Sequence, residues 1–172
     1  SLGRRSFDLV ANKGFNIFFD IKFHDIPNTV AHSILSFKGY PINLLTVHIS
    51  GGMSMLTRAR EAAHAIKSKV IGVSLLTSLD QKDVEKVFFN DIRKVANSLF
   101  DLAKEANMDG IVCSAHELKY ARTNIPNLLK IVPGIRLSSD NDDQKRVMSP
   151  GEALKLGANH LVIGRPITES KH

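Results

Sequence analysis

Short apolar segments rich in β-branched residues alternate along the chain with longer segments in which apolar residues recur every three or four positions. The short segments are apolar on both faces, which is typical of strands buried in a parallel sheet. The longer segments have the period of amphipathic helices. The predicted strands are 15–21, 43–49, 69–76, 110–114, 128–135 and 160–165, and the predicted helices are 29–38, 53–66, 91–106, 115–122 and 150–157.

Local signals place one helix closely. The segment SPGEALKLG predicts Ser149 as the N-cap, Pro150 as the first helical residue and Glu152 as the capping-box partner of Ser149. Gly157 is predicted to end this helix in the left-handed conformation.

Strands that alternate with helices indicate parallel β-α units, either in an open doubly wound sheet or in a closed barrel. No G-x-G-x-x-G follows the first strand, which disfavours a dinucleotide-binding doubly wound sheet. Polar residues instead follow nearly every strand, and in a barrel all these strand ends meet on one face. We therefore predict an α/β protein with a TIM (β/α)8 barrel, with six of the eight strands identifiable in residues 1–172, as a single domain incomplete at both ends.

Composition excludes several classes of protein. The chain is 43% hydrophobic and 23% charged, which suits one globular domain. No apolar run approaches the roughly 18 residues that span a bilayer, so no membrane association is expected. The first ten residues lack the apolar core of a signal peptide. The single cysteine, Cys113, rules out an internal disulfide and predicts a cytoplasmic protein.

The net charge of +6 is compatible with a nucleic-acid ligand or with a small phosphorylated one. Basic residues are scattered, Trp is absent and Tyr occurs twice, so nucleic-acid binding is not expected.

The segment FDIKFHDIPNTV concentrates charge at the end of a predicted buried strand. Asp20 and Lys22 are two residues apart, so both side chains would project from the same face. One interpretation is an ion pair that stabilises the barrel, since buried charges must be paired. Asp25 adds a third charge, which favours a proton-transfer or charge-stabilising site.

The two nearby histidines are less informative. His24 is interpreted mainly as a structural residue. His48 lies at a strand end shortly before a Gly-Gly pair, and it fits a structural role and a site role equally well. No His, Asp, Glu or Cys set has the close spacing of a metal site, so neither a metal nor another cofactor is expected.

The segments VPGIR and VIGRP predict a phosphate site at two successive strand ends. Barrel enzymes often bind phosphate in the loops after their last two strands, through backbone N–H groups and arginine. Gly134 and Gly164 would let a ligand approach the backbone, while Arg136 and Arg165 would bind the dianion. Gln144 is either a further amide donor or part of a solvated loop.

These motifs resemble those of the orotidine 5′-monophosphate decarboxylases, and in particular the bacterial type. FDIKFHDIPNTV is similar to the family signature D-x-K-x-x-D-I-P-N-T, and VHISGG, LLTS, DGIVCS, VPGIR and VIGRPIT follow in the family's order, from about residue 7 to residue 170. The resemblance implies a homodimeric barrel enzyme of pyrimidine biosynthesis. It would convert orotidylate to uridylate and carbon dioxide without a cofactor.

The resemblance also implies roles for individual residues. Lys22 would protonate the carbon that loses carbon dioxide, and Asp20 would lie against the substrate carboxylate and position the lysine. Asp25 and Thr29 would enter the active site of the neighbouring subunit. The substrate-binding residues would be Thr77 at the pyrimidine and Arg136, Gln144, Gly164 and Arg165 at the phosphate.

The chain departs from the family at its ends. Family members carry two further strands before this region, with a ribose-binding aspartate and a second lysine, and a final helix. Asp8 and Lys13 lie in a helix-like segment and are not assigned to those roles. We expect the protein to contain more than these residues; a truncated, inactive relative is the competing hypothesis.

Three other functions remain open at this point. A magnesium-dependent sugar-phosphate lyase or decarboxylase of the same suprafamily shares D-x-K-x-x-D, although HDIPNT disfavours it. A non-catalytic protein that binds a phosphorylated ligand is the second. The third, nucleic-acid binding, would show a steep dependence on salt.

Overall fold

The computed structural model describes residues 3–135 and 148–170. Within them, strands alternate with helices as the hydrophobic pattern predicts, except that two helices separate the third strand from the fourth. Short 3-10 turns at Ile49–Gly51 and Ala115–Glu117 precede two of the helices. The strands are β1 (Phe18–Phe23), β2 (Leu44–His48), β3 (Lys69–Val73), β4 (Gly110–Val112), β5 (Leu129–Val132) and β6 (His160–Leu161). The helices are α1 (Arg4–Ala11), α2 (Pro27–Leu35), α3 (Gly52–Ala65), α4 (Gln81–Phe88), α5 (Ile92–Glu105), α6 (Leu118–Asn124), α7 (Pro150–Lys155) and α8 (Arg165–Thr168).

The strand order confirms the predicted barrel over the doubly wound alternative. The described strands form one sheet in the order β1-β2-β3-β4-β5-β6, and every neighbouring pair is parallel. A doubly wound sheet reverses its strand order at a switch point, whereas a barrel adds each strand beside the preceding one. The sheet therefore has barrel topology, and β1 and β6 are its two edges in the described residues.

The two faces of the sheet bury different side chains. One face packs against the helices through Leu45, Val70 and Ile111, which belong to the main hydrophobic core. Because side chains alternate along a strand, Thr46 and Ile71 project from the opposite, inner face. The inner face is therefore the one that can present polar groups at the carboxyl ends of the strands.

Several predicted boundaries were wrong. Strand β1 is displaced towards its carboxyl end and includes Lys22, while β3 ends at Val73. Arg165 does not end a strand, because β6 stops at Leu161 and Arg165 begins helix α8. Helix α4 was missed, although Asp80 and Asp83 form a capping box at its start that could have revealed it.

The start and end of α7 confirm the local prediction. The Ser149 hydroxyl accepts a hydrogen bond from the Glu152 N–H at 3.4 Å, and the Ser149 N–H donates to Glu152 Oε2 at 3.1 Å. Pro150 is the first helical residue, and Gly157 has φ +104°, in the left-handed region that favours glycine. Residues 3–135 and 148–170 contain no helix with the length and hydrophobicity of a membrane span.

Gly110 on β4 is expected to tolerate no side chain. A Cβ at this position would lie 2.7 Å from the Leu129 carbonyl oxygen and 3.0 Å from Ile71 Cδ1, and the oxygen belongs to a paired strand that cannot move aside. Overpacking of this kind typically costs about 2 kcal/mol, so Gly110→Ala should lower Tm by roughly 4–8 °C. Thermal unfolding followed by circular dichroism measures this.

Gly151→Ala is the matched control for Gly110→Ala, because a Cβ at Gly151 in α7 would meet nothing within 4 Å. We expect its Tm to equal or slightly exceed that of the parent protein, since alanine is the better helix former. Equal Tm values for the two variants would contradict the tight packing of β4 against β5.

Candidate active site

Strand β1 contains a bulge at the charged motif. Phe19 pairs with Leu45 and Phe23 pairs with Val47, so four steps along β1 correspond to two steps along β2. Lys22 lies within this bulge and has φ +56°, a left-handed conformation that is uncommon for a residue with a side chain. Bulges of this kind redirect side chains and are over-represented next to active sites.

The bulge brings three polar side chains into one hydrogen-bonded group. Lys22 Nζ lies 2.7 Å from Asp20 Oδ2, which forms an ion pair as well as a hydrogen bond. The Thr46 hydroxyl donates to Asp20 Oδ1 at 3.0 Å, and the backbone N–H of Lys22 donates to Thr46 Oγ1 at 2.8 Å. Asp20 and Lys22 thus share one face, as the sequence predicted, but through a bulge rather than a regular strand.

The exposure of this group argues against a purely structural ion pair. The side chains of Lys22 and Asp20 keep 37% and 44% of their surface exposed, and exposed pairs add at most about 1 kcal/mol to stability. A residue held in a disfavoured backbone region costs about 1–3 kcal/mol, and such residues cluster at functional sites. The arrangement therefore fits a site that presents an ammonium group to a ligand.

Two histidines lie beside the pair. The rings of His24 and His48 are 5.2 Å apart. Burial, and after it the nearby His24 and Lys22, lowers the pKa of His48, with Asp20 opposing the shift. The His48 imidazole is therefore neutral at neutral pH and adds no positive charge beside Lys22.

Close packing around the first glycine of the Gly-Gly pair after His48 leaves no room for a side chain. A Cβ at Gly51 would collide with the Met55 side chain and would lie 3.4 Å from His24 Cδ2. The small residue therefore lets α3 begin directly beside the histidine pair.

Asp25 and Thr29 lie between β1 and α2 and are both exposed. Asp25 Oδ1 accepts a hydrogen bond from the Ile26 N–H at 2.6 Å, and Thr29 is the third residue of α2. Their polar groups face solvent at the same end of the sheet as the bulge.

Those residues predicted to bind the base and the phosphate that the structure describes lie outside the bulge. Thr77 is in an exposed turn after β3, and Gly164 and Arg165 are exposed at the start of α8. Gly134 has φ +75°, a left-handed conformation that favours glycine. Arg136 and Gln144 lie outside the described residues.

The structure groups Asp20 and Lys22 with Thr46 and the two histidines, but it does not bring them against Arg165. Strands β1 and β6 are the opposite edges of the described sheet. Within the described ranges, no group of three or more His, Cys, Asp or Glu side chains is arranged to hold a metal ion.

Thr46 is the site residue that sequence reasoning missed. It is fully buried in the apolar strand NLLTVHI, two residues before His48 and on the same inner face. A polar residue at an inward position of a buried strand was the available signal, because such a group needs a hydrogen-bond partner.

The chain is similar in sequence to one family of known proteins. The model of a family described as "Orotidine 5′-phosphate decarboxylase / HUMPS family" matches residues 1–172. The orotidine 5′-phosphate decarboxylase of Ehrlichia chaffeensis is 46% identical over 165 residues, which cover 94% of this chain and 71% of that protein. The enzyme of the same name from Saccharophagus degradans is 40% identical, covering 99% of this chain and 74% of that protein.

Solved structures agree with the sequence relatives. The crystal structure of orotidine 5′-phosphate decarboxylase from Lactobacillus acidophilus superimposes with a TM-score of 0.84 at 31% identity, covering 98% of this chain and 75% of that one. The Thermotoga maritima enzyme gives a TM-score of 0.76 at 30% identity, with the same two coverages. These similarities, with the strand order, confirm the predicted TIM-barrel fold.

Proposed function

The chain belongs to the orotidine 5′-phosphate decarboxylase / HUMPS family, and we infer that it converts orotidine 5′-monophosphate to uridine 5′-monophosphate and carbon dioxide. It is thus a carboxy-lyase of pyrimidine biosynthesis. The family description joins two groups of proteins, and the relatives at 39–46% identity are named for the first of them.

The observation that carries the chemical proposal is the Asp20–Lys22 pair, 2.7 Å apart at the bulge of β1. An ammonium group held by a carboxylate, half-exposed at the carboxyl end of a barrel strand, lies where barrel enzymes bind their substrates. Its charge suits a reaction that leaves a negative charge on carbon.

We propose the following proton and electron transfers. The bond between the pyrimidine ring and the substrate carboxylate breaks, carbon dioxide leaves, and the electron pair stays on the ring carbon. The Lys22 ammonium stabilises that pair electrostatically and then transfers a proton from Nζ to the carbon. Lys22 regains its proton from water, so the cycle needs no electron acceptor and we propose that no cofactor takes part.

Asp20 has two proposed roles. Its Oδ2 orients Lys22 Nζ, as the 2.7 Å contact suggests. In the complex it would also face the substrate carboxylate, and this repulsion would be relieved as carbon dioxide leaves. Binding energy from the remote phosphate would offset that repulsion in the bound state.

The remaining residues are proposed to bind the nucleotide. Thr77 would contact the pyrimidine, and Arg136, Gln144, Gly164 and Arg165 would hold the phosphate. Two features support the phosphate site: Gly164 lies at the start of a helix, and a Cβ there would meet nothing within 4 Å, so its backbone is accessible. Arginine can bind a phosphate dianion through two parallel hydrogen bonds.

We further propose a homodimer in which Asp25 and Thr29 enter the partner's active site. Both side chains are exposed in this chain. Asp25 also follows the Asp20–Lys22 pair by only a few residues, so a shared interface there would join the two sites.

A cytoplasmic location is proposed from the single, buried and unpaired cysteine.

Purified protein is expected to decarboxylate orotidine 5′-monophosphate equally well with and without excess EDTA, because the proposed chemistry uses only Lys22 and Asp20. Release of carbon dioxide from carboxyl-labelled substrate, with uridine 5′-monophosphate measured by chromatography, gives the rate. Activity that EDTA abolishes and magnesium restores would favour the metal-dependent lyase. Binding of uridine 5′-monophosphate without turnover would instead indicate a phosphate-ligand binding protein.

A further inference from the structure

We propose that Thr46 is a positioning residue for the decarboxylation: its hydroxyl holds the bulge that aims Lys22 and fixes the carboxylate of Asp20. This inference rests on the proposed function. Thr46 lies on β2, outside the D-x-K-x-x-D motif. The reaction would depend on it although it does not contact the substrate.

Thr46 holds the backbone of Lys22 in the bulge. Between Phe19 and Phe23 the regular ladder of β1 with β2 is interrupted. At this point the Lys22 N–H donates to the side-chain oxygen Thr46 Oγ1, at 2.8 Å. Since a left-handed lysine is disfavoured by its own Cβ, a specific hydrogen bond at this amide helps to hold the conformation.

The hydroxyl proton of Thr46 points to Asp20. An ionised carboxylate can only accept hydrogen bonds, so the 3.0 Å contact with Asp20 Oδ1 uses the single hydroxyl proton. The oxygen lone pairs then remain for the Lys22 N–H. One hydroxyl therefore joins the backbone of Lys22 to the carboxylate that binds its ammonium group, and both bonds are satisfied at once.

Thr46 is buried beside an apolar residue of the next strand. Thr46 has no exposed surface, so water does not compete for its hydroxyl. Its partner in the register of β3 is Ile71, which is also fully buried on the inner face and apolar. Shape and burial alone would thus be met by valine or isoleucine at position 46, and only the two hydrogen bonds require a hydroxyl.

Thr46→Val tests the inference, because valine keeps the shape and removes both bonds. We expect kcat for orotidine 5′-monophosphate to fall about 100-fold, the order expected when a reacting group moves by about 1 Å. KM should stay within about threefold of the parent value, because the phosphate site is on other strands. Thr46→Ser restores the hydroxyl and should recover kcat to within about fivefold.

Ser68→Ala is the matched control. Ser68 is also buried, and its hydroxyl donates to the Ile42 carbonyl at 2.7 Å at the amino-terminal end of β3, away from the site. Its kcat should equal that of the parent protein even if its Tm falls. Should Thr46→Val fail to fold, Thr46→Ala removes the same hydroxyl and is measured in the same way.

Hydrogen exchange of the Lys22 amide, measured by NMR without substrate, separates this inference from the proposed function. Loss of the Thr46 acceptor should speed exchange at Lys22 by at least about tenfold in Thr46→Val and leave it unchanged in Ser68→Ala. A parent protein without turnover would contradict the proposed function. The exchange rates would still test whether Thr46 holds the backbone of Lys22 in the bulge. Unchanged exchange, a kcat within threefold of the parent, or a rise in KM alone would overturn the inference.

Discussion

Lys22→Ala is expected to reduce kcat for orotidine 5′-monophosphate by about 10⁵-fold. Two contributions are lost together: general-acid catalysis, worth typically about 10²–10⁴-fold, and electrostatic stabilisation of the developing charge, worth about 10²–10³-fold per group. Both depend on the same Nζ, which Asp20 holds at 2.7 Å. The measurement is single-turnover release of carbon dioxide from labelled substrate, since steady-state rates would be too low to follow.

The fold should survive the loss of Lys22. Its side chain is more than one third exposed and its ion pair is a surface one, so Tm should change by only a few degrees. Lys22→Arg keeps the positive charge but replaces a compact ammonium with a larger planar group, and it should also lose most of its activity. If Lys22→Arg were nearly fully active, the charge alone would matter and direct proton transfer from Nζ would be wrong.

Lys69→Ala is the control for the lysine variants. Lys69 is also a strand lysine, but it begins β3 at the opposite end of the sheet from the bulge, where its side chain is exposed. Its kcat should match that of the parent protein. A Lys22→Ala variant that keeps more than a tenth of the parent activity would eliminate the proposed mechanism.

Asp25→Ala is expected to lower kcat/KM by about 10³-fold, comparable with the loss of one preorganised polar group from an active site. The physical reason is specific to the proposed dimer. Asp25 is exposed in its own chain, where its carboxylate accepts a hydrogen bond from the adjacent Ile26 N–H. Its effect on catalysis would therefore arise in the partner's site.

A mixture of two inactive variants distinguishes a shared site from a local one. In a heterodimer of Lys22→Ala with Asp25→Ala, one site loses both residues and the other keeps both. Random exchange makes half of the dimers mixed, and each mixed dimer has one complete site of two, so the unfractionated mixture should recover about a quarter of the parent activity and the isolated mixed dimers about half. The subunits would be exchanged by co-expression with two different tags, and the mixed dimers isolated by sequential affinity steps.

The control for this mixture replaces Lys22→Ala by the double variant Lys22→Ala/Asp25→Ala, which should restore nothing because no site then has both residues. Mixed dimers that form but stay inactive would place Asp25 in the site of its own chain. A protein that remains monomeric at assay concentrations would contradict the proposed homodimer itself.

Local sequence signals were sufficient to predict helix ends that depend on residues only a few positions apart. The capping box of α7 joins residues three positions apart, and the turn at Gly157 needs only a residue that tolerates positive φ. Helix α4 has a comparable capping box, so its omission was an error of interpretation and not a limit of the sequence. The end of the last strand was placed too late because Pro166 permits either a strand end or the first turn of a helix.

The functional group required more than local signals. The sequence determined a barrel protein with an acid and a lysine at one strand end, because alternation and charge spacing are properties of the chain itself. Tertiary structure decided how they are arranged, because the bulge in β1 exists only through its pairing with β2, and the hydroxyl that links Lys22 to Asp20 comes from Thr46, 24 positions further along the chain from Lys22. No local pattern can specify a hydrogen bond whose two partners meet only when the sheet has formed.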